Sequence, residues 1–253
     1  MKTARVAYAG AIHYATEQNG CVRLTDGRVI NEDAVVWLPP VQPRTIFALG
    51  LNYADHAREL AFKAPDEPLV FLKGPQSVCG HRGQTRRPGG VTYMHYECEL
   101  AVVIGKTACR VTKADAYDYV AGYTVANDYA IRDYLENYYR PNFRVKGRDS
   151  STPLGPWLTD AADVADPMSL QLRTLVNGRV TQEGNTRDMI FDIPTLIAYL
   201  SEFMTLSAGD IILTGTPEGL ADVQVGDEVI TEIDGIGSLK NTIIGEAEDQ
   251  HVG

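Results

Sequence analysis

The chain has 253 residues, of which 44% are hydrophobic and 22% are charged, and its formal net charge is −10. This composition predicts an ordinary soluble protein whose core is large enough for one domain of about 200 residues or more. The acidic surplus argues against nucleic acid as a partner, because phosphate-binding surfaces carry an excess of Lys and Arg. The basic cluster at residues 81–88 has the pattern of a solvated loop.

Cysteine usage and hydropathy bear on location. Cysteines stand at positions 21, 79, 98 and 109, and their spacing forms neither a CxxC pair nor a zinc ribbon. Reduced thiols of this kind are typical of a cytoplasmic protein. The sequence shows no apolar stretch near the roughly 20 residues needed to cross a bilayer, and its N-terminus lacks an apolar signal core. We therefore expect a cytoplasmic protein without membrane attachment.

The first part of the chain has the pattern of a small β unit. Residues 4–38 alternate as short strands joined in hairpins, with an Asp-Gly turn signal. Residues 38–44, LPPVQPR, hold three prolines and predict a stiff connection. We expect a small N-terminal β subdomain at residues 1–42 and a main domain at residues 43–253.

Strand patterns also outnumber helical patterns in the main domain. Periodicity predicts a strand at 45–53, a helix at 53–61, a strand at 69–74, helices at 113–123 and 132–140 on either side of a strand, a hairpin at 172–191, a helix at 193–210, and three strands within 210–243. The hairpin turns at Asn177-Gly178, and the last helix is expected to end at Gly209. An antiparallel or mixed β structure with peripheral helices is the direct inference.

The stretch HYECELAVVIG, residues 95–105, places two glutamates one residue apart before an aliphatic run. On a helix, Glu97 and Glu99 would lie about 200° apart, since each residue turns the chain by about 100°. On a strand they share one face with Ala101 and Val103, while the intervening residues point to the other face. Two acids on one face repel each other and favour a bound cation. The alternative is a solvent-facing strand edge with two exposed acids.

A third acid follows a second strand. In the stretch YVAGYTVAND, alternation places Thr124, Ala126 and Asp128 on one face. Asp128 could equally be the N-cap of a following helix. Three carboxylates from two strands would suit Mg²⁺ or Mn²⁺ at about 2.0 to 2.2 Å and leave coordination positions open for a substrate. Zinc would more often require histidine or cysteine.

Five motifs, in this order and at these separations, resemble the fumarylacetoacetate hydrolase family: LGLNYADHARE, HYECELAVVIGK, VANDYAIRD, VKGRD and LTGTPEGL. The resemblance covers about residues 43–246. It implies an α+β, predominantly β fold, a mixed β-roll with short peripheral helices. It also implies that Glu97, Glu99 and Asp128 bind a divalent ion, Mg²⁺ or Mn²⁺, which chelates the 2-oxo-carboxylate end of an extended dicarboxylic substrate.

The resemblance implies roles for three further side chains. His56 and Glu59 match a pair on a lid helix, and their spacing lets them touch on one helical face. Glu59 would orient the imidazole and make His56 a candidate proton shuttle near neutral pH. Lys146 matches a lysine near the metal, where it could neutralise a substrate carboxylate or an enolate oxygen. The alternatives are an incidental surface ion pair for the first two and one more exposed lysine for the third.

Substrate contacts are expected from three other residues. Thr216, in TGTPEG, matches a loop that meets a substrate carboxylate, although the same letters could form a plain turn. Arg132 and Arg148 lie near the acids in sequence and are expected to bind a distal carboxylate through paired hydrogen bonds. Leu135 stands where several hydrolytic relatives carry glutamine. Its apolar side chain favours chemistry that needs no attacking water.

The likeness is greatest to the isomerase/decarboxylase branch of the family. It implies decarboxylation of 5-oxopent-3-ene-1,2,5-tricarboxylate and isomerisation of 2-hydroxyhepta-2,4-diene-1,7-dioate through a shared, metal-held dienolate, in 4-hydroxyphenylacetate (homoprotocatechuate) catabolism. Three alternatives stay open: an acylpyruvate or fumarylpyruvate C–C hydrolase, an oxaloacetate decarboxylase, and a non-catalytic protein that binds metal and 2-oxo acids. The resemblance also implies a homodimer, or a pairing with a sister subunit.

Overall fold

The computed structural model describes residues 1–55, 65–135 and 143–246, and strands dominate them. The strands are β1 (Lys2–Tyr8), β2 (Ala11–Gln18), β3 (Cys21–Leu24), β4 (Val29–Asn31), β5 (Val36–Leu38), β6 (Ile46–Gly50), β7 (Leu69–Lys73), β8 (Val78–Cys79), β9 (Gly83–Arg87), β10 (Met94–His95), β11 (Cys98–Ile104), β12 (Val120–Asn127), β13 (Ala130–Ile131), β14 (Thr152–Asp160), β15 (Gln171–Val176), β16 (Arg179–Asn185), β17 (Ile211–Leu213), β18 (Glu228–Ile233) and β19 (Gly237–Gly245).

Helices are short in the described residues. α-Helix occurs at Phe143–Lys146 and Ile193–Phe203, and residues 54–55 are helical as well. Single 3₁₀ segments occur at Glu32–Ala34, Pro75–Ser77, Lys113–Tyr119, Arg132–Tyr134, Ala161–Asp163 and Thr186–Asp188. None of the described helices is both long and apolar enough to span a membrane. The predicted class, mostly β with short helices, is confirmed.

The strands form one large sheet and two smaller ones. The large sheet has twelve strands in the order β4-β3-β2-β1-β14-β12-β11-β17-β6-β7, with β5 added to β1 and β8 to β14. A five-stranded sheet has the order β16-β15-β18-β19-β9, and β10 pairs with β13 alone. Most pairs are antiparallel, but β17 runs parallel to β6, β8 to β14 and β19 to β9. The two larger sheets are therefore mixed, as predicted.

Strand β11 lies inside the large sheet and separates two cores. Its side chains Cys98, Leu100, Val102 and Ile104 join the largest core, against the helix Ile193–Phe203. The alternate residues Ala101 and Val103 join a second core together with Ala126 of β12. This division confirms the alternation predicted from the sequence. It fixes the face on which acidic residues at the start of β11 must lie.

The five N-terminal strands surround a small core of their own, formed by Ala4, Val6, Ala15, Val22, Leu24, Val35 and Trp37. The predicted Asp-Gly turn is confirmed: Gly27 has a φ of +91° and its N–H donates to the Leu24 carbonyl at 3.0 Å. These strands extend the large sheet, because β1 pairs with β14. The Trp37 ring also meets the Trp157 ring edge-on at 5.0 Å. That residues 1–42 form a separate subdomain stays a prediction.

The helix predicted at 113–123 is wrong beyond its first half. A 3₁₀ segment spans Lys113–Tyr119, capped by the Thr112 hydroxyl, which accepts from the Asp115 N–H at 3.3 Å. The chain then becomes extended at Val120, because β12 pairs with β11 from that residue onward. Sheet hydrogen bonding overrides the helical pattern here.

The predicted end of the last helix at Gly209 is also wrong. The helix ends at Phe203, and Met204 is already extended. Leu206 and Ala108 exchange two backbone hydrogen bonds of 2.9 Å, and this pairing cannot form within a helix. Gly209 instead supplies a positive φ of +89° in the turn before β17. A pairing with a distant segment therefore set the boundary.

Three other expectations have different outcomes. The hairpin at Asn177-Gly178 is confirmed, since both residues have a positive φ, 49° and 77°. In the helix predicted at 132–140, residues 132–134 are 3₁₀, and residues 136–142 lie outside the described part of the chain. Most of the helix predicted at 53–61 lies outside it too, because residues 56–64 are not described.

Candidate metal centre

Glu97, Glu99 and Asp128 meet where β11 begins and β12 ends. The two strands are antiparallel, with Cys98 opposite Asn127, so the acids flank one end of the ladder. The Asp128 N–H donates to the Glu97 carbonyl at 2.9 Å. One carboxylate oxygen from each of the three acids lies within 4.8 Å of the others. The structure thus brings together the three side chains that the sequence singled out.

All three acids are buried, with exposed fractions of 6% for Glu97 and 0% for Glu99 and Asp128. The alternative of a solvent-facing strand edge is therefore wrong. The alternative that Asp128 caps a helix is also wrong, because residues 130–131 continue as strand β13. Buried acids need a compensating positive charge, since an ion loses its hydration when it leaves water.

The surroundings of Glu99 fit a cation. Its Oε2 accepts from the Gly215 N–H at 2.7 Å, whereas its buried Oε1 has no hydrogen-bond partner among the described residues. Burial raises the pKa of the Glu99 carboxyl well above its ordinary value, and the charges of Asp128 and Glu97 raise it further. An orphaned carboxylate oxygen beside two other acids is the donor set that a hard divalent cation requires.

Two lysines border the acids. Lys146 Nζ lies 2.7 Å from Glu97 Oε2 and 2.9 Å from Asp128 Oδ2. Burial by itself lowers the pKa of Lys146, but the attraction of Asp128 and Glu97 outweighs it and raises that pKa above its ordinary value. The expectation that Lys146 stands beside the acids agrees with this geometry, and the alternative of an exposed lysine is wrong.

Sequence reasoning missed the second lysine, Lys73. It ends strand β7, is 3% exposed, and its Nζ pairs with Asp128 Oδ1 and the Lys146 carbonyl. Burial lowers the pKa of Lys73, although Asp128 opposes that effect. A lone lysine at the end of the apolar run LVFLK was the available signal, because a buried lysine needs an acidic partner.

His95, which sequence reasoning also missed, lies beside Glu97 and contacts Arg132. Arg132 Nε donates to His95 Nε2 at 2.8 Å, and His95 Nδ1 lies 3.0 Å from the Tyr96 carbonyl. The same Nδ1 is 3.6 Å from Glu97 Oε1. The signal was the position of His95, two residues before Glu97 on the face that alternation assigns to the acids.

The loop after β17 covers the centre from another side. Thr216 is 2% exposed, and its Oγ1 accepts from Gln182 Nε2 at 2.9 Å. Gln182 also donates to the Pro217 carbonyl at 2.8 Å, and its Oε1 accepts from the Cys98 N–H at 3.3 Å. This buried amide therefore ties the loop to the first residue of β11. Thr216 stands next to Gly215, which binds Glu99.

Of the remaining predicted site residues, only Arg148 is among the described residues. Arg148 pairs with Glu246, and both side chains are about one-third or more exposed. Its role in substrate binding stays a prediction. His56 and Glu59 lie outside the described residues.

Comparison with known proteins decides the family. Residues 45–244 match the family model "Fumarylacetoacetate (FAA) hydrolase C-terminal". The chain belongs to the fumarylacetoacetate hydrolase family. It is 65% identical over 202 residues to the 4-hydroxyphenylacetate degradation bifunctional isomerase/decarboxylase of Salmonella dublin. The aligned residues make up 80% of this chain and 47% of that relative. The chain thus spans about half the length of the bifunctional relatives that it matches.

Solved structures of family members have the same fold. A 2-hydroxyhepta-2,4-diene-1,7-dioate isomerase from Mycobacterium marinum is 33% identical with a TM-score of 0.86, covering 98% of this chain and 100% of that one. A maleylpyruvate hydrolase from Sphingobium sp. SYK-6, in complex with manganese(II) ion and pyruvate, is 28% identical with a TM-score of 0.83, covering 97% and 99%. The predicted family membership is confirmed.

Proposed function

We propose that this chain is a divalent-metal-dependent enzyme of 4-hydroxyphenylacetate (homoprotocatechuate) catabolism. It decarboxylates 5-oxopent-3-ene-1,2,5-tricarboxylate and isomerises 2-hydroxyhepta-2,4-diene-1,7-dioate. The observation that carries the proposal is the buried cluster of Glu97, Glu99 and Asp128. The similarity to a bifunctional isomerase/decarboxylase and to a heptadienedioate isomerase supports the choice of reaction.

The three acids are the proposed ligands of Mg²⁺ or Mn²⁺. Carboxylate oxygens suit both ions, and the orphaned Glu99 Oε1 offers one of them directly. The manganese ion in the maleylpyruvate hydrolase relative supports a divalent cation in this family. When bound, such a cation supplies Lewis acidity that stabilises negative charge on the 2-oxo-carboxylate end of a substrate.

The lysines are proposed to bind negative charge on the substrate. Lys146 Nζ contacts two of the three acids, so an incoming carboxylate or enolate oxygen beside them meets its N–H groups. Lys73, bonded to Asp128 and to the Lys146 carbonyl, keeps this arrangement in place. Because the whole cluster is buried, water does not screen these charges.

Thr216 and Arg132 are proposed to hold the substrate's carboxylates. Thr216 Oγ1 accepts from Gln182, and among the described residues its own O–H is not donated to protein. That O–H is available for a substrate oxygen. Arg132 can form two parallel hydrogen bonds with a carboxylate. Arg148 is proposed to contact a carboxylate as well, which requires its guanidinium to leave Glu246.

Both reactions can share one dienolate. In the decarboxylation, the bond to the departing CO₂ breaks and its electron pair enters the conjugated system. In the isomerisation, the dienol gives up its O–H proton to form the same species, and a proton returns at a remote carbon to leave the 2-oxo-3-enoate. His56, oriented by Glu59, is the proposed proton shuttle. Neither step needs an attacking water, which agrees with the apolar Leu135 at a position where hydrolytic relatives carry glutamine.

The test is an assay of purified protein, stripped of metal and then supplied with Mg²⁺ or Mn²⁺. The substrates are the tricarboxylate, the heptadienedioate, oxaloacetate and a simple acylpyruvate, with products identified by mass. We expect loss of CO₂ from the tricarboxylate and a mass-neutral shift of the dienedioate, both dependent on metal. Addition of water to an acylpyruvate with no reaction of the tricarboxylate would show a C–C hydrolase instead.

We further propose that the protein is cytoplasmic and forms a homodimer. Because the chain spans about half of the bifunctional relatives, a second subunit could supply what their other half supplies. A sister subunit is the alternative partner. Light scattering measures the molar mass of the purified chain in solution. A dimer mass supports the homodimer, and a monomer mass favours a sister subunit as the partner.

A further inference from the structure

We propose that His95 is a positioning residue, which aims the guanidinium of Arg132 so that this arginine selects substrates with a second carboxylate. The inference rests on the proposed function and deepens it. His95 and Arg132 lie beside the candidate metal centre. Their hydrogen bond and the pairing of β10 with β13 support the inference.

The contact between the two side chains defines the state of the imidazole. A guanidinium has only N–H donors, so the 2.8 Å contact from Arg132 Nε requires His95 Nε2 to be an acceptor without a proton. The remaining ring proton is then on Nδ1, which donates to the Tyr96 carbonyl at 3.0 Å. The ring is therefore neutral, with one nitrogen bound to backbone and the other facing Arg132. His95 is fully buried, so its ring cannot swing away.

The backbone brings the pair to the metal centre. Strand β10 pairs with β13, with His95 opposite Ala130, and the Arg132 N–H donates to the Tyr93 carbonyl at 3.0 Å. Glu97 lies two residues after His95, and Asp128 lies two residues before Ala130. The pairing of β10 with β13 thus holds His95 and Arg132 near two of the proposed ligands, Glu97 and Asp128.

The Nη1 and Nη2 groups of Arg132 can still donate hydrogen bonds to a ligand. Within residues 1–55, 65–135 and 143–246, no protein acceptor binds its Nη1 or Nη2, and the side chain is half-buried. The neighbouring acid Asp133 does not neutralise it. Both Asp133 oxygens accept from Thr92 and Tyr93, and the hydrogen bond from the Thr92 hydroxyl lowers the pKa of that carboxyl to about 2.

The resulting geometry matches a diacid. One imidazole ring and two polar contacts separate Glu97 Oε1 from Arg132 Nε. Both contacts are short, so the guanidinium lies near the proposed metal ligands. A diacid such as the heptadienedioate, with its 2-oxo-carboxylate end at those ligands, is proposed to place its distal carboxylate at the open donors of Arg132. A monocarboxylic 2-oxo acid leaves those donors unused.

The experiment uses two ligands of equal chain length, 2-oxoheptanedioate and 2-oxoheptanoate, which differ only in the distal carboxylate. Calorimetry measures their binding to the Mn²⁺-loaded full chain, and steady-state kinetics on the heptadienedioate gives kcat and KM. The variants are His95→Phe, which keeps a ring without an acceptor, His95→Gln, which restores an acceptor oxygen, and Arg132→Leu. The melting temperature of each variant serves as the folding control.

Wild type is expected to bind the diacid at least about tenfold more tightly than the monoacid, since a charge-assisted hydrogen bond is worth about that much. His95→Phe should lose about tenfold on the diacid and raise KM more than it lowers kcat, with monoacid binding unchanged. His95→Gln should recover much of the loss. Arg132→Leu should abolish the preference, and adding His95→Phe to it should change nothing more.

Three results would overturn the inference: no diacid preference in wild type, an equal loss on both ligands in His95→Phe, or no loss of preference in Arg132→Leu. The last variant decides the matter if His95→Phe does not fold. Failure of the proposed reaction is a separate outcome. If wild type turns over neither the tricarboxylate nor the dienedioate but shows the variant-sensitive preference, the positioning role stands and the reaction does not.

Discussion

Glu97, Glu99 and Asp128 bring three carboxylates to one buried point, where Lys73 and Lys146 supply two basic nitrogens. Removing charges from water is costly unless opposite charges approach closely. Three acids against two lysines leave the cluster short of positive charge. A divalent cation at the orphaned Glu99 Oε1 would supply that charge. The excess of negative charge therefore favours cation binding at this cluster.

Replacing Asp128 by Asn should depress decarboxylation and isomerisation together, by on the order of 100-fold or more. The reason is that both reactions need the same ligand set and the same dienolate. Parallel assays on the tricarboxylate and the dienedioate measure this. Arg28→Gln, a change at an exposed ion pair with Asp26 outside the site, is the control for folding and handling. The shared-intermediate scheme fails if isomerisation survives in Asp128→Asn while decarboxylation disappears.

Affinity for Mn²⁺ should weaken as pH falls, because the pKa of the Glu99 carboxyl is raised and its proton must leave before the oxygen binds a cation. The folded state holds this proton more tightly than the unfolded chain does. Its contribution to the stability of the metal-free protein therefore falls as pH rises from the unfolded pKa through the folded one. Calorimetry in two buffers of different ionisation enthalpy counts the proton released. Glu99→Gln should release none at this site, and equal release in both proteins contradicts the assignment.

The sequence predicted the three acids because strand alternation is a local property. It missed Lys73 and His95, whose roles depend on which strands become neighbours. Lys73 reaches Asp128 only because β7 joins the sheet beside β6, and His95 reaches Arg132 only because β10 pairs with β13. Neither pairing can be read from a single segment.

At the scale of elements, hairpins were predicted well and helix ends poorly. The turn at Asn177-Gly178 needs only two residues that tolerate positive φ. The end of the helix Ile193–Phe203 depends instead on the distant partner Ala108, which binds Leu206. Local chemistry fixes the start of that helix, where Asp192 Oδ1 accepts from the Thr195 N–H at 2.8 Å.

Asp192→Ala should therefore reduce the free energy of unfolding by about 1 kcal/mol, because it leaves a helix N–H without its cap. Asp192→Asn is the matched control, since its amide oxygen can accept the same hydrogen bond. Urea denaturation of both variants and wild type measures the difference. An equal loss in the two variants would mean that charge, and not capping, is what Asp192 contributes.

At the scale of the whole molecule, the N-terminal strands and the metal centre belong to different cores. The family match begins at residue 45, and the cluster of acids lies within residues 97–128. The N-terminal strands meet the rest of the chain through β14, by the β1 pairing and the contact between Trp37 and Trp157. They also meet residues 81–82, since the Trp37 ring contacts the His81 ring and Arg82 pairs with Glu32 and Asp33. Their removal should destabilise the rest without altering the ligand set.

A chain that starts at residue 43 should melt at a lower temperature, because β14 loses a neighbour and Trp157 loses its cover. Its Mn²⁺ affinity, measured where it is fully folded, should stay within about twofold of the full chain, since distant sites act independently. Calorimetric melting measures the melting temperature, and metal titration measures the Mn²⁺ affinity. A large loss of metal affinity in the folded truncated chain would contradict the separation of the two cores.

The most direct measurement of the central claim is anomalous diffraction at the manganese edge from crystals soaked in Mn²⁺. The account predicts one peak, with an oxygen of Glu97, Glu99 and Asp128 each at about 2.0 to 2.2 Å from it. A peak bound by other residues, or these three carboxylates left without an ion at saturating Mn²⁺, would contradict it.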